Sequence, residues 1–207
     1  MFRDALSIIR ANRRAYITVN AIFYGLILVG ALISALVSSI QQSMLAALRS
    51  QFEGGSLLAI VARVYRSGNI ALTALVTFLV NGILGAFAQI TVPSAVIPFA
   101  GFIIGFGRGL LWGLLFSPSD ATLRLVMLPH AVTVFLEGQG YVLATFGCYL
   151  WGSWILRPAK AGFVSRKEAY VAGLRANGRI YALVFAVLAV AAIYEAIEVC
   201  TMIKLSQ

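Results

Sequence analysis

ATLRLVMLPHAVTVFLEGQGYVLATFGCYLWGSWI, residues 121–155, is apolar almost throughout, yet it holds the only histidine of the chain, His130, and a glutamate, Glu137. A hydrocarbon core about 30 Å thick is crossed by roughly 20 residues of helix, so this stretch is far longer than one crossing needs. Whether it crosses once or twice sets the topology of everything else. Proline lacks an N–H and disfavours helix at the residue before it, which puts an interruption at Leu128–Pro129. Gly138 and Gly140 add a second. The predicted element is broken: a short helix or re-entrant piece carrying His130 to Glu137, then a span over about 139–155.

The rest of the chain sets the context for that reading. Of the 207 residues, 61% are hydrophobic and 11% charged. Soluble domains carry about a quarter charged residues, and no polar half of this chain could fold alone in water. Backbone groups in lipid must bond internally, which leaves helices or closed barrels, and the apolar runs are too continuous for barrel strands. The expected fold is all-α, a polytopic membrane helix bundle forming one domain over 1–207. Its five predicted spans lie at about 15–39, 70–90, 95–116, 139–155 and 180–201.

Residues 1–14 suit an amphipathic interfacial helix. Residues 41–69 read as two amphipathic pieces split by Gly54-Gly55, too polar to span, and Pro93 marks a turn after the second span. A polar loop, 157–179, precedes the last span. The first apolar run, from Ala15 to Ile40, is too long for the core of a cleavable signal peptide, so none is expected.

Charge fixes an orientation for this arrangement. With the N-terminus in the cytoplasm, the inside segments hold Arg3, Arg10, Arg13, Arg14, Arg157, Lys160, Arg166, Lys167, Arg175 and Arg179. The outside segments hold Arg49, Arg63, Arg66, Arg124 and Lys204. Lys and Arg accumulate in cytoplasmic loops, so the chain is expected in the cell membrane with N-terminus in and C-terminus out. Counting the Pro129 region as a further crossing would put the richest basic loop outside, which favours re-entry. The net charge of +9 has the same explanation, and no basic block with interleaved aromatics points to nucleic acid. IRANRRAY (9–16) and LRANGRIY (174–181) match closely, each leading into a span. Either they reflect pseudo-symmetry or both answer the same interfacial demand for Arg and Tyr.

Gly101, Gly105, Gly109 and Gly113 recur every four residues in GFIIGFGRGLLWG and form one bare stripe on a helix. Small residues allow the close approach that packs membrane helices, so another helix of the chain, or of a second copy, is expected along it. Arg108 sits among these glycines, where a guanidinium costs roughly 3 kcal/mol to insert. Two readings apply to Glu137: it pairs with Arg108, or it is unpaired and wetted at the mouth of the re-entrant turn. His130 and Glu137 are seven residues apart, hence on one helix face and about 10 Å apart along it. That is too far for a dyad but suits two groups lining one polar cavity; the alternative is a helix-start cap. Asn81 and Gln89 read as interhelical hydrogen-bond donors. Glu195 and Glu198 read as interfacial, solvated or paired with Lys204 or Arg124.

Enzyme signatures are missing from the sequence. One histidine cannot build a multi-histidine metal site, and there is no H-E-x-x-H or G-x-S-x-G. Asp4 and Asp120 both lie outside the predicted spans, and Cys148 and Cys200 read as small core side chains. No catalytic residue, cofactor or metal is expected.

GNIALTALVTFLVNGILGAF (68–87), followed by the glycine-rich span and LPHAVTVFLEGQGYVLATFGCYLWG, resembles the stage II sporulation protein M family. Asn69, Asn81-Gly82, Pro129-His130 and Glu137 stand where that family carries an asparagine before the second span, an NG within it, and a PHG…E element in the membrane. There are two departures: Ala131 replaces the usual glycine, and Val134, not a glutamate, follows His130 by four residues. The resemblance implies a five-span membrane scaffold working with membrane or envelope proteins, linked in the sporulating case to peptidoglycan remodelling. The competing expectation is a transporter or permease component, with Arg108, His130 and Glu137 lining a path for a solute, ion or lipid. The two differ in whether those residues meet in one wet cavity.

Overall fold

The computed structural model describes residues 1–53, 56–117 and 121–205, and the side chains of all these but 52, 53, 121–126 and 128. The described residues form helices and short connections, with no strand among them. In chain order the helices are α1 (Phe2–Ala11), α2 (Arg13–Leu36), α3 (Ser38–Glu53) and α4 (Leu57–Arg66). Then α5 (Ile70–Phe78) passes without a break through a π-helical segment, Leu79–Thr91, into α6 (Val92–Val96). The last three are α7 (Ala100–Leu115), α8 (Ala121–Leu156) and α9 (Arg166–Leu205). Helix α2, the run Ile70–Val96 and α9 are long and apolar enough to cross a membrane.

Local chemistry accounts for several helix starts. Ser56 caps α4 by accepting from the Ala59 N–H, and Asn69 caps α5 by accepting from that of Leu72. Ser165 accepts the Glu168 N–H at 3.1 Å, and the Glu168 carboxylate accepts the Val164 N–H at 2.8 Å. This S-x-x-E cap starts α9 at Arg166 and corrects the expectation of a loop over 157–179. The LRANGR segment is therefore the interior of a 40-residue helix, whereas its echo at 9–14 spans the bend at Asn12 between α1 and α2. Pro93 likewise ends no helix at its own position; it lies inside the continuous run Ile70–Val96, just after the π-helical segment, and the helix goes on to Val96.

The broken or re-entrant element around Pro129 is also corrected. Helix α8 runs 36 residues with Pro129 inside it, roughly 54 Å of continuous helix. A proline within a helix forfeits one backbone bond, and membrane helices tolerate this where neighbours satisfy the freed groups. The carbonyl so freed is that of Leu125, four residues earlier; beside it, Tyr194 of α9 donates its hydroxyl to the Pro129 carbonyl at 3.2 Å and ties α8 to α9 there. Gly138 and Gly140 are contact points and not breaks. A Cβ on Gly138 would stand 2.8 Å from the Tyr24 hydroxyl, and one on Gly140 would strike Leu188.

Helix α8 is the centre of the bundle. Tyr141, Val142, Ala144, Phe146, Cys148 and Trp151 are buried, so successive residues on every face meet protein. Along α9 it packs antiparallel: His130 meets Glu198, Gly140 meets Leu188, and Trp151 donates to the Tyr170 carbonyl at 3.0 Å. Asn177, buried in α9, donates to the carbonyls of Gly147 at 3.2 Å and Gly173 at 3.0 Å.

The glycine stripe of α7 is fully buried within the chain, and three neighbours share it. A Cβ would strike the Ile90 carbonyl at Gly101, the Thr145 hydroxyl at Gly105 and the Ile27 carbonyl at Gly113, and would approach that of Phe23 to 3.0 Å at Gly109. The closest seam is α2 against α7, two parallel helices. Ser34 donates to the Leu114 carbonyl at 2.6 Å at its end, and Gln41 of α3 donates to those of Leu115 and Ser117. The segments α2, α5–α6, α7, α8 and α9 thus alternate in direction, while α3 and α4 lie at one end.

Candidate functional site

At the α3–α4 end the tight packing gives way to an open cavity of about 1120 Å³. All four residues singled out from the sequence, Asn81, Arg108, His130 and Glu137, line it. Glu195 of α9 and Tyr65 of α4 complete its polar wall. They arrive on three elements: Asn81 on the π-helical segment, Arg108 on α7, His130 and Glu137 one above the other on α8.

Arg108 and Glu137 form no ion pair. The Arg108 guanidinium carbon lies 4.3 Å from the centroid of the Tyr141 ring, a cation–π contact, and a terminal nitrogen reaches the Gln89 carbonyl oxygen at a long 3.4 Å. Glu137 is 8% exposed and lies within the continuous helix α8, not at a re-entrant turn. Its Oε1 accepts from the Asn81 side-chain amide. Asn81 Oδ1 in turn accepts from the Tyr141 hydroxyl at 2.9 Å. Arg108 therefore reaches Glu137 only through a relay, Tyr141 then Asn81. Gly85 makes room for it, since a Cβ there would lie 2.5 Å from the Tyr141 oxygen and 3.0 Å from the arginine.

The other carboxylates are also engaged by neighbours. Tyr65 donates to Glu195 Oε1 at 3.2 Å and shares a 2.6 Å hydrogen bond with Thr77. Burial first, and then the Glu195 charge, push the Tyr65 phenol well above its ordinary range. His130 Nδ1 lies 3.2 Å from Glu198 Oε1, with their side chains 17% and 7% exposed. Thr133 donates to the second Glu198 oxygen at 2.6 Å. His130 is thus held in mid-helix by a carboxylate, with Phe116 packed edge-on at 5.3 Å, and it caps no helix start. This also replaces the interfacial reading of Glu195 and Glu198. Lys204 joins neither of them, and the side chain of Arg124 lies outside the described residues.

Sequence reasoning missed Tyr65, Tyr141, Glu195 and Glu198 as site residues. The i, i+3 spacing of Glu195 and Glu198 was the one available signal, because two acids on one face of an apolar helix need partners. A second polar cluster was missed altogether. Gln139 accepts from the Tyr16 hydroxyl at 3.1 Å and donates to Asn20 and to the Tyr24 oxygen, each at 2.9 Å, tying α8 to α2. Comparison with family models, with curated proteins and with solved structures finds no match.

Proposed function

We propose that this chain is a five-span membrane protein of the permease or solute-handling kind, which binds a small polar or amphiphilic molecule in the cavity between α4, α7, α8 and α9. One observation carries this reading: Asn81, Arg108, His130 and Glu137, from three separate elements, line a single open cavity. An ionisable group inside a membrane bundle is costly unless it is used, and α7, α8 and α9 have turned Arg108, His130, Glu137 and Glu195 to one place. The alternating directions of the five segments support five crossings with the N-terminus inside. In that orientation the cavity opens toward the outer face, under α3 and α4.

The second reading is the scaffold of the stage II sporulation protein M type, bound to envelope proteins and possessing no substrate. It is supported by the contact between Asn81 and Glu137, which joins two of the resembling motifs, and by Asn69 capping α5. Native mass spectrometry of the gently extracted protein, wild type beside Glu137→Gln, separates the two. A small molecule or lipid retained by wild type and lost by the variant is the expected result. A protein partner retained by both, with no small molecule on either, would favour the scaffold.

A further inference from the structure

Charges around the cavity are unequally partnered. Its acids are engaged: Glu137 by Asn81, Glu195 by Tyr65. Its bases are not. Among the described residues the ion pairs are those of the N-terminus with Asp4 and of His130 with Glu198, so none of the described carboxylates meets Arg49, Arg63, Arg66 or Arg108. All four of these arginines line the cavity. Arg108 is the deepest, and its donors are met only by one long contact to Gln89 and by the Tyr141 ring face. A guanidinium fork facing an open space in an otherwise apolar bundle is a receptor for a planar or tetrahedral oxyanion. Apart from Tyr65, Thr77, Asn81 and His130, the remaining wall, including Val80, Trp112, Leu115, Val134 and Val199, is apolar.

We propose that the occupant is an anionic amphiphile, its acidic headgroup held by Arg108 and the arginines of α3 and α4, and its hydrocarbon part lying along the apolar wall. This deepens the cavity-binding reading above and rests on it. Neither half of the lining suffices alone. A free oxyanion would leave the apolar wall wet, and a neutral lipid would leave Arg108 without a counter-charge. Glu195 bounds the anion site, whereas Glu137 acts on it through Asn81 and Tyr141, which hold Arg108 in place, so Glu137→Gln releases the occupant by loosening that relay although it removes a negative charge.

The test is isothermal titration of the full-length protein in neutral detergent with three probes: dioctanoyl phosphatidylglycerol, dioctanoyl phosphatidylcholine and glycerol 3-phosphate. Saturable binding of the phosphatidylglycerol is expected, with the other two weaker by about tenfold or more, the scale of one charge-assisted hydrogen bond. Arg108→Gln should lower the affinity by about tenfold, and the double variant Arg63→Gln/Arg66→Gln, on an exposed rim where folding is not at stake, by roughly threefold. Arg3→Gln, on α1, serves as the control for general loss of charge. Phosphatidylcholine binding as tightly as phosphatidylglycerol would overturn the anion requirement. Glycerol 3-phosphate binding equally well would overturn the amphiphile and leave a soluble-anion site. Affinity unchanged in both arginine variants would place the lipid elsewhere. If none of the probes binds while a co-purified molecule is still lost in Glu137→Gln, this inference fails and the cavity reading stands; if neither occurs, both fail.

Discussion

The two halves of α8 are built on opposite principles. From Gly138 to Trp151 every turn is closed against a neighbour, and its glycines exist so that Tyr24, Leu188 and Asn177 can approach. From Pro129 to Glu137 the same helix borders open space and spends its polar groups on partners across it. Packing density governs the first half and charge placement the second. The difference is that the closed half has no slack, whereas the open half can exchange side chains of equal shape with little structural consequence.

Substitutions can break this contrast, and the largest effect belongs on the glycine stripe. Gly113→Val sets a side chain against the Ile27 carbonyl, where only backbone movement could relieve the overlap. Overpacking of this kind costs about 1–3 kcal/mol or more, so loss of a monodisperse peak in size-exclusion chromatography of the extract is expected. Asn177→Ala comes next, removing the bonds to Gly147 and Gly173. Buried interhelical bonds in membranes are worth about 0.6–2 kcal/mol, which predicts a lower melting temperature in a detergent thermal-shift assay. Of similar size, Glu198→Gln keeps an acceptor for Thr133 but removes the charge facing the largely buried His130; a loss of about 1–2 kcal/mol is expected in the same assay. Glu137→Gln should melt close to wild type while losing any retained small molecule. A large drop in its melting point would mean the cavity half is as tightly constrained as the closed half. The smallest effect is Gly107→Ala, on the open face of α7 with no atom near its Cβ, which should leave both melting and binding unchanged or raise stability slightly.

Arg108 shows how much of the site could be read in advance and where reading stopped. Its position within an apolar helix marked it as needing a partner, and the same logic marked His130 and Glu137. The partner itself depends on how the helices are rotated about their axes. Tyr141 presents its ring and Gln89 its amide only because Gly85 and the π-helical segment let α7, α8 and that segment close together. His130 found Glu198, which is 68 residues away in sequence and looked interfacial.

Composition alone determined that the chain is helical and built for a bilayer, because lipid leaves the backbone few ways to satisfy its own hydrogen bonds. Periodicity determined the glycine face of α7 and the shared face of His130 and Glu137. Only tertiary structure decided that α8 continues through Pro129, since the bond that proline lacks is a local deficit and the packing of α8 against α9, with Tyr194 on the Pro129 carbonyl, holds the helix together across it. It also decided that four arginines face one cavity without a partner among the described carboxylates, because pairing is a property of distances between helices that no single helix encodes.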